Sequence, residues 1–172
     1  MKEVKEWLQS LLFSLVVVGF LMIFIQPTLV KGDSMFPTIQ ENNYLVIEKV
    51  SYWFKAPAYG DVIVFKSHLP ENAFRNKDLI KRIIGLPGDR IGIHNGIVSR
   101  NGNALEEPYT AEPYTAGDLE VTVPADSVFI LGDNRAVSRD SRDPAVGFVP
   151  LDSIRGRILV RLFPFNRIGL VQ

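Results

Sequence analysis
The sequence has no cysteine and only two histidines among 172 residues. That excludes disulfides, a thiol nucleophile and thiolate metal sites. A histidine-based metal motif such as H-E-x-x-H is also missing. Neither sign of charge is in excess, with 19 basic and 19 acidic residues. A nucleic-acid partner therefore has no electrostatic footprint here. Beyond residue 30 no long stretch carries a helical hydrophobic period, and there is no repeat or low-complexity tract.

The first thirty residues have a different character. From Trp7 to Gln26 the chain reads WLQSLLFSLVVVGFLMIFIQ, without a charge. A membrane span needs about 20 predominantly apolar residues. A cleaved signal peptide is the rival reading, but QPTLVKGD offers no small-residue cleavage triplet after Ile25. The expectation is a retained anchor over 7–26, with 1–6 cytoplasmic and 27–172 an extracytoplasmic domain. Lys2 and Lys5 before the span outweigh Lys31 just after it, which sets that orientation.

From Tyr44 onward the chain reads as short strands: YLVIEKV, DVIVFK, LIKRIIG, RIGIH, GIVSR, LEVTV, SVFIL and RILVRLF. Gly, Pro, Asn and Asp punctuate them. Asn95-Gly96 predicts a two-residue hairpin. The fold class is therefore mainly β: a mostly antiparallel sheet domain with little helix behind one transmembrane helix. The segment Asn103 to Asp118 reads as an exposed loop.

Within LIKRIIGLPGD, Leu79 to Asp89, two cations interrupt an apolar strand. Lys81 and Arg82 point to opposite faces, so one of them should face a core. Lysine is the better candidate, because it can lose its proton when desolvated. A neutral lysine is a base, able to activate a serine hydroxyl. KGDSMFPT from Lys31 presents Ser34 in a Gly- and Pro-flanked turn, and GDNRAVSRDSR from Gly132 is a second polar loop abutting an apolar run. Taken singly, a serine beside Gly and Asp is most often a turn residue, and a strand lysine usually reaches solvent.

Together and in this order, the anchor, SMFPT, GDVIVF, KRIIGLPGD, GDNRAVSRDSR and GFVP resemble the type I signal peptidases, the leader peptidases. The resemblance covers nearly the whole chain. It implies a serine–lysine endopeptidase that removes signal peptides from exported preproteins, cutting after small residues at −1 and −3. Ser34 would be the nucleophile and Lys81 the general base. Ser138 would hydrogen-bond and orient Lys81, Asp140 and Arg142 would hold its loop, and Arg82 would pair with Asp133. Many Gram-negative members carry a serine where this chain has Gly32, so the second oxyanion donor is left open. The short connection from Lys66 to Asp78 implies that the large extra domain of some members is absent.

An extended substrate segment could add beside Pro27 to Lys31 and Asp78 to Lys81. Thr28, Val30 and Ile80 would then line shallow apolar pockets, plain core packing being the alternative. The resemblance implies no cofactor, no metal, a monomer, and a single-pass protein of the plasma membrane whose partners are signal peptides and the lipid bilayer. Rival readings are a Ser-His-Asp triad using His68 or His94, a self-cleaving repressor-type serine–lysine peptidase, and a membrane-tethered β domain that binds peptides without cutting them. Tyr52, Trp53, Phe54 and Tyr59, with Leu162, Phe163 and Phe165 near Arg161 and Arg167, either close the β core or rest on lipid.

Overall fold
The computed structural model describes residues 2–72 and 75–171. Helix α1, Lys2–Phe24, is long and apolar enough to cross a membrane, and no residue of its apolar window is buried against the rest of the chain. It stops where Pro27 approaches. A proline has no N–H to donate, and the residue before it favours extended backbone. The chain passes straight into β1, Ile25–Leu29, so Ile25 and Gln26 already lie in a strand.

The sheets follow the sequence pattern. β2 is Tyr44–Glu48, β3 Val62–Asn72, β4 Arg75–Gly85, β5 Arg90–His94, β6 Ile97–Arg100 and β7 Asn103–Ala104. β8 is Leu119–Thr122, β9 Ser127–Leu131, β10 Val149–Pro150, β11 Ile154–Phe163 and β12 Gly169–Leu170. Besides α1, the described residues hold one turn of α-helix, α2 at Ser51–Phe54, and two short 3-10 turns. Every strand pair is antiparallel, as expected. The large sheet runs β1-β2-β11-β3-β4-β9-β10, with β12 on β11, and the small one runs β7-β6-β5-β8. Asn95 and Gly96 both take positive φ, 51° and 82°, as a tight two-residue hairpin requires.

β3 and β4 continue past Lys66 and Asp78, so that connection is a long two-stranded ribbon rather than a loop. The middle of this ribbon is covered on both faces. Val62, Val64 and Ile80 pack with Val30, Met35, Ile39 and Leu45. Ile63, Phe65 and Ile83 pack with Val128 and Ile130. A third cluster, with Ile84, Ile91, Ile93 and Phe129, joins the two sheets.

One expectation is corrected here, and one of two open alternatives falls away. The segment Asn103 to Asp118 is irregular but not free: Thr115 is buried, Tyr109 packs on the third cluster and Glu107 pairs with buried Arg135. Secondly, Trp53, Phe54, Phe163 and Phe165 do not close the core. They are exposed, whereas Tyr52 packs inward on the second cluster.

Candidate active site
Strand β4 delivers Lys81 and Arg82 side by side. The expectation of one buried cation is corrected to two, each only 2% exposed. The reason is the double cover of the second half of β4: every residue from Lys81 to Gly85 is buried. Each cation is satisfied in its own way. Arg82 grips Asp133 with two nitrogens at 2.9 and 2.7 Å, donates to the Gly60 carbonyl at 3.0 Å, and stacks over the Tyr109 ring at 4.0 Å. Arg82 and Asp133 thus meet as the resemblance implies. Lys81 has no carboxylate in contact. Its Nζ lies 2.7 Å from Ser34 Oγ and donates to its neighbour's carbonyl, Ile80 O, at 2.9 Å.

Burial pushes the Lys81 ammonium down to about 8, and Lys77 pushes the same way, while Asp140 and Asp133 pull it back up. Desolvation wins because the carboxylates are already committed to arginines. The lysine is therefore partly neutral near neutral pH. In that form one N–H stays on the Ile80 carbonyl and the lone pair can turn to the Ser34 hydroxyl.

Ser34 occupies the second position of a β-turn closed by Phe36 N–H to Asp33 O at 3.0 Å. Buried Met35 and Ile39, joined by a backbone bond of 2.8 Å, pin the turn to the core. Asn134 clamps its other side, its N–H on the Ser34 carbonyl at 3.1 Å and its Nδ2 on the Asp33 carbonyl at 3.2 Å. The Ser34 N–H makes no hydrogen bond among the described residues and is free to donate. Gly32 sits at φ +84°, a backbone state that serine adopts poorly. Its N–H is held by the Glu41 carboxylate at 3.3 Å.

The loop from Gly132 to Arg142 has no ladder to hold it, so side chains do. Asp140 accepts the Gly132 N–H at 3.1 Å and is gripped by Arg142 at 2.9 and 3.0 Å. Arg135 donates to the Gly132 carbonyl at 2.9 Å and to both oxygens of Glu107, at 2.6 and 2.9 Å. Thr38 donates to Asp133 at 2.5 Å. Gly132 is the close-approach point: a Cβ there would strike Ser138 Oγ and come within 2.5 Å of the Ser34 carbonyl oxygen.

Ser138 thus packs beside the Ser34 turn, but its expected hydrogen bond to Lys81 is not formed. Its Oγ is buried without a partner, and Lys81 spends its donors on Ser34 and Ile80.

Ser34 and Lys81 open into a cleft of about 710 Å³. Thr28, Val30, Gly32 and Ile80 line it, together with Asn134, Val137 and Arg139 from the far loop. Among the described residues the outer edge of β1 has no partner strand, and β4 is joined by β9 only from Arg82 onward. Two open backbone edges therefore flank one cleft. His94 instead pairs with Asp118 at an exposed site, and neither histidine lines the cleft. Among the described residues no group of three or more His, Asp or Glu could hold a metal ion.

Sequence reasoning passed over Asn134, Thr38 and the Arg135–Glu107 pair. Asn134 stood inside the quoted loop, so its position was a signal. Glu107 and Arg135 are 28 residues apart and nothing local couples them.

Residues 4–163 match the family described as Signal peptidase, peptidase S26. The chain is 42% identical to a probable signal peptidase I-1 of Synechocystis over 172 residues, covering 96% of this chain and 86% of that one. It is 39% identical to the signal peptidase I of Bacillus caldolyticus, covering 88% and 87%. A crystal structure of a signal peptidase I from Enterococcus faecalis superposes with a TM-score of 0.50 at 34% identity, over 60% of this chain and 97% of that one.

Proposed function
Since the chain belongs to the signal peptidase I family of peptidases, we propose that it cleaves the signal peptides of exported preproteins with Ser34 as nucleophile and Lys81 as general base. The observation that carries this reading is the 2.7 Å approach of a buried lysine, lowered to about 8, to a serine hydroxyl at the floor of an open cleft. Neutral Lys81 takes the Ser34 proton as Oγ attacks the scissile carbonyl carbon. The free Ser34 N–H donates to the oxyanion. The Lys81 ammonium then returns its proton to the departing amine, which becomes the new N-terminus of the mature protein. Water, deprotonated by Lys81 in turn, cleaves the Ser34 ester and releases the signal peptide as a carboxylate.

Substrate recognition rests on the two open edges. An extended segment laid between Pro27–Lys31 and Asp78–Lys81 would complete both ladders. Thr28, Val30 and Ile80 then meet its alternate side chains, which suits small residues at −1 and −3. Helix α1 is the anchor in this reading, with the β domain on the extracytoplasmic side. Ser138 acts as a positioning residue that engages Lys81 during turnover, and Asp140 and Arg142 hold its loop.

The test is cleavage of a model preprotein in detergent, with product termini sequenced. Ser34→Ala should lose several orders of magnitude in rate, about 10³-fold or more, while keeping the circular dichroism spectrum of the wild type. Activity near wild type in that variant would refute the mechanism, and binding without cleavage by the wild type would make the domain a peptide binder.

A further inference from the structure
Next to the catalytic cleft but lined by other residues, two grooves meet at the foot of α1. One, of about 620 Å³, is lined by Gln26, Lys49, Lys66, His68 and Arg155. The other, of about 500 Å³, shares Lys49 and Arg155 and adds Trp53, Phe54 and Lys55. Their height along the span is fixed by direct contacts. The Lys49 N–H donates to the carbonyl of Phe24, the last residue of α1, at 3.0 Å. The Trp53 ring lies 6.3 Å from the Phe24 ring. So Lys49 and Trp53 stand where the apolar helix ends, and Phe54 points an 84% exposed ring outward beside them.

The charges there are unbalanced. The side chains of Lys49, Lys55 and Lys66 make no ion pair or hydrogen bond among the described residues. Arg155 reaches Asp78 at 3.0 Å, yet its side chain stays 44% exposed. Against these four cations stand two carboxylates, Asp152 in both grooves and Asp78. None of these four cations lines the catalytic cleft, whereas Asp78 does, so groove and cleft adjoin there without sharing a cation.

We propose that this joined groove is a binding site for the phosphodiester headgroup of an anionic glycerophospholipid. Lys49 and Lys66 hold the phosphate, and Trp53 and Phe54 lie among the acyl chains of the same leaflet. Aromatic rings backed by basic side chains at the end of a span suit the bilayer interface, and phosphate is the anion that this depth offers. The inference rests on α1 crossing the membrane but not on the assignment of Ser34 and Lys81.

The experiment uses the full chain in detergent micelles and native mass spectrometry. Retention of phosphatidylglycerol is compared with that of phosphatidylcholine bearing the same acyl chains. The wild type should retain phosphatidylglycerol in preference. Each lysine near such a surface contributes about fivefold in affinity, so Lys49→Gln/Lys66→Gln should weaken phosphatidylglycerol binding by about thirtyfold. Cleavage of a soluble peptide should be unchanged in that variant, which shows it to be folded. Trp53→Ser should weaken both lipids alike and keep their ratio. Equal retention of the two lipids by the wild type, or an unchanged ratio in the double lysine variant, would overturn the site. Displacement of phosphatidylglycerol by millimolar inorganic phosphate would overturn the lipid assignment in favour of a free anion.

Discussion

Arginine meets carboxylate in two very different settings in this molecule. Around the loop from Gly132 to Arg142, the pairs Arg82–Asp133, Arg135–Glu107 and Arg142–Asp140 are almost dry, with side-chain exposures of 3% and 1%, 1% and 11%, and 13% and 0%. On the small sheet, Arg90 and Glu120 meet at a comparable distance, 2.7 Å, but are 66% and 50% exposed. The strands of the small sheet are held by ladder bonds whatever their charges do. The loop has no ladder, so its shape depends on the ion pairs. Like geometry thus carries unlike consequence, and burial decides which.

The sharpest way to break the comparison is to change an ion without changing its charge. Lys81→Arg keeps a cation in the buried site but removes its ability to become a neutral base, because arginine stays protonated. Its cleavage rate should fall as far as that of Lys81→Ala, about 10³-fold or more. Arg90→Lys on the small sheet should be silent in the same assay. Activity surviving in Lys81→Arg would move the base elsewhere.

Next in size is the loss of one partner. Asp133→Ala strands the Arg82 charge in the core and should cost about 3–5 kcal/mol in urea unfolding. Glu120→Ala exposes Arg90 to water it already sees and should cost under about 1 kcal/mol. Equal costs would mean that the buried pairs are not what shapes the loop.

Acidity sharpens the contrast further. The Lys81 ammonium is pushed down to about 8 from an ordinary value of 10.5. The unfolded chain then binds that proton more tightly than the folded one. Burial of the charge costs stability below pH 8, the cost shrinks as pH rises from 8 to 10.5, and it is gone above. Lys81→Met should therefore unfold less readily than wild type at pH 7, by about 3 kcal/mol, and the advantage should vanish above pH 10.5. In the wild type, kcat/KM should rise about tenfold per pH unit on the acid side and level off near pH 8. A flat profile between pH 6 and 8 would remove Lys81 as the base.

Smallest is Ser138→Ala. The hydroxyl has no partner in the resting site, so its removal should leave the melting temperature unchanged or raise it. If it takes up the Lys81 ammonium during turnover, kcat should fall by about tenfold to a hundredfold, the worth of one hydrogen bond to a charged group. A wild-type kcat would leave Ser138 as packing beside Gly132.

Local pattern carried much of this into view. RIGIH and SVFIL become β5 and β9 residue for residue, because alternation and flanking turn residues are local properties. The Arg82–Asp133 contact was legible through the resemblance. What was not legible depends on contacts between distant segments. That the inner half of β4 is covered on both faces follows from packing of the Val30–Leu45 region on one side and of Val146, Tyr52 and Leu151 on the other. Thr115 looked like a loop residue until the Arg135 guanidinium donated to its hydroxyl. Ser138 lies near the expected neighbours, but its expected bond to Lys81 is not formed in the resting site, where its Oγ packs against Gly132.

Helix α1 runs into β1 with no residue between them, and β1 is locked to β2 along its whole length from Ile25↔Glu48 to Leu29↔Tyr44. The junction is therefore a stiff bracket rather than a tether. On the proposed reading, a blade mounted on such a bracket rides at one fixed height over the bilayer, and the molecule becomes a depth gauge that selects a peptide bond by its distance from the lipid as well as by the side chains around it. Splicing a few flexible residues between Phe24 and Ile25 would slacken the gauge while leaving the blade untouched.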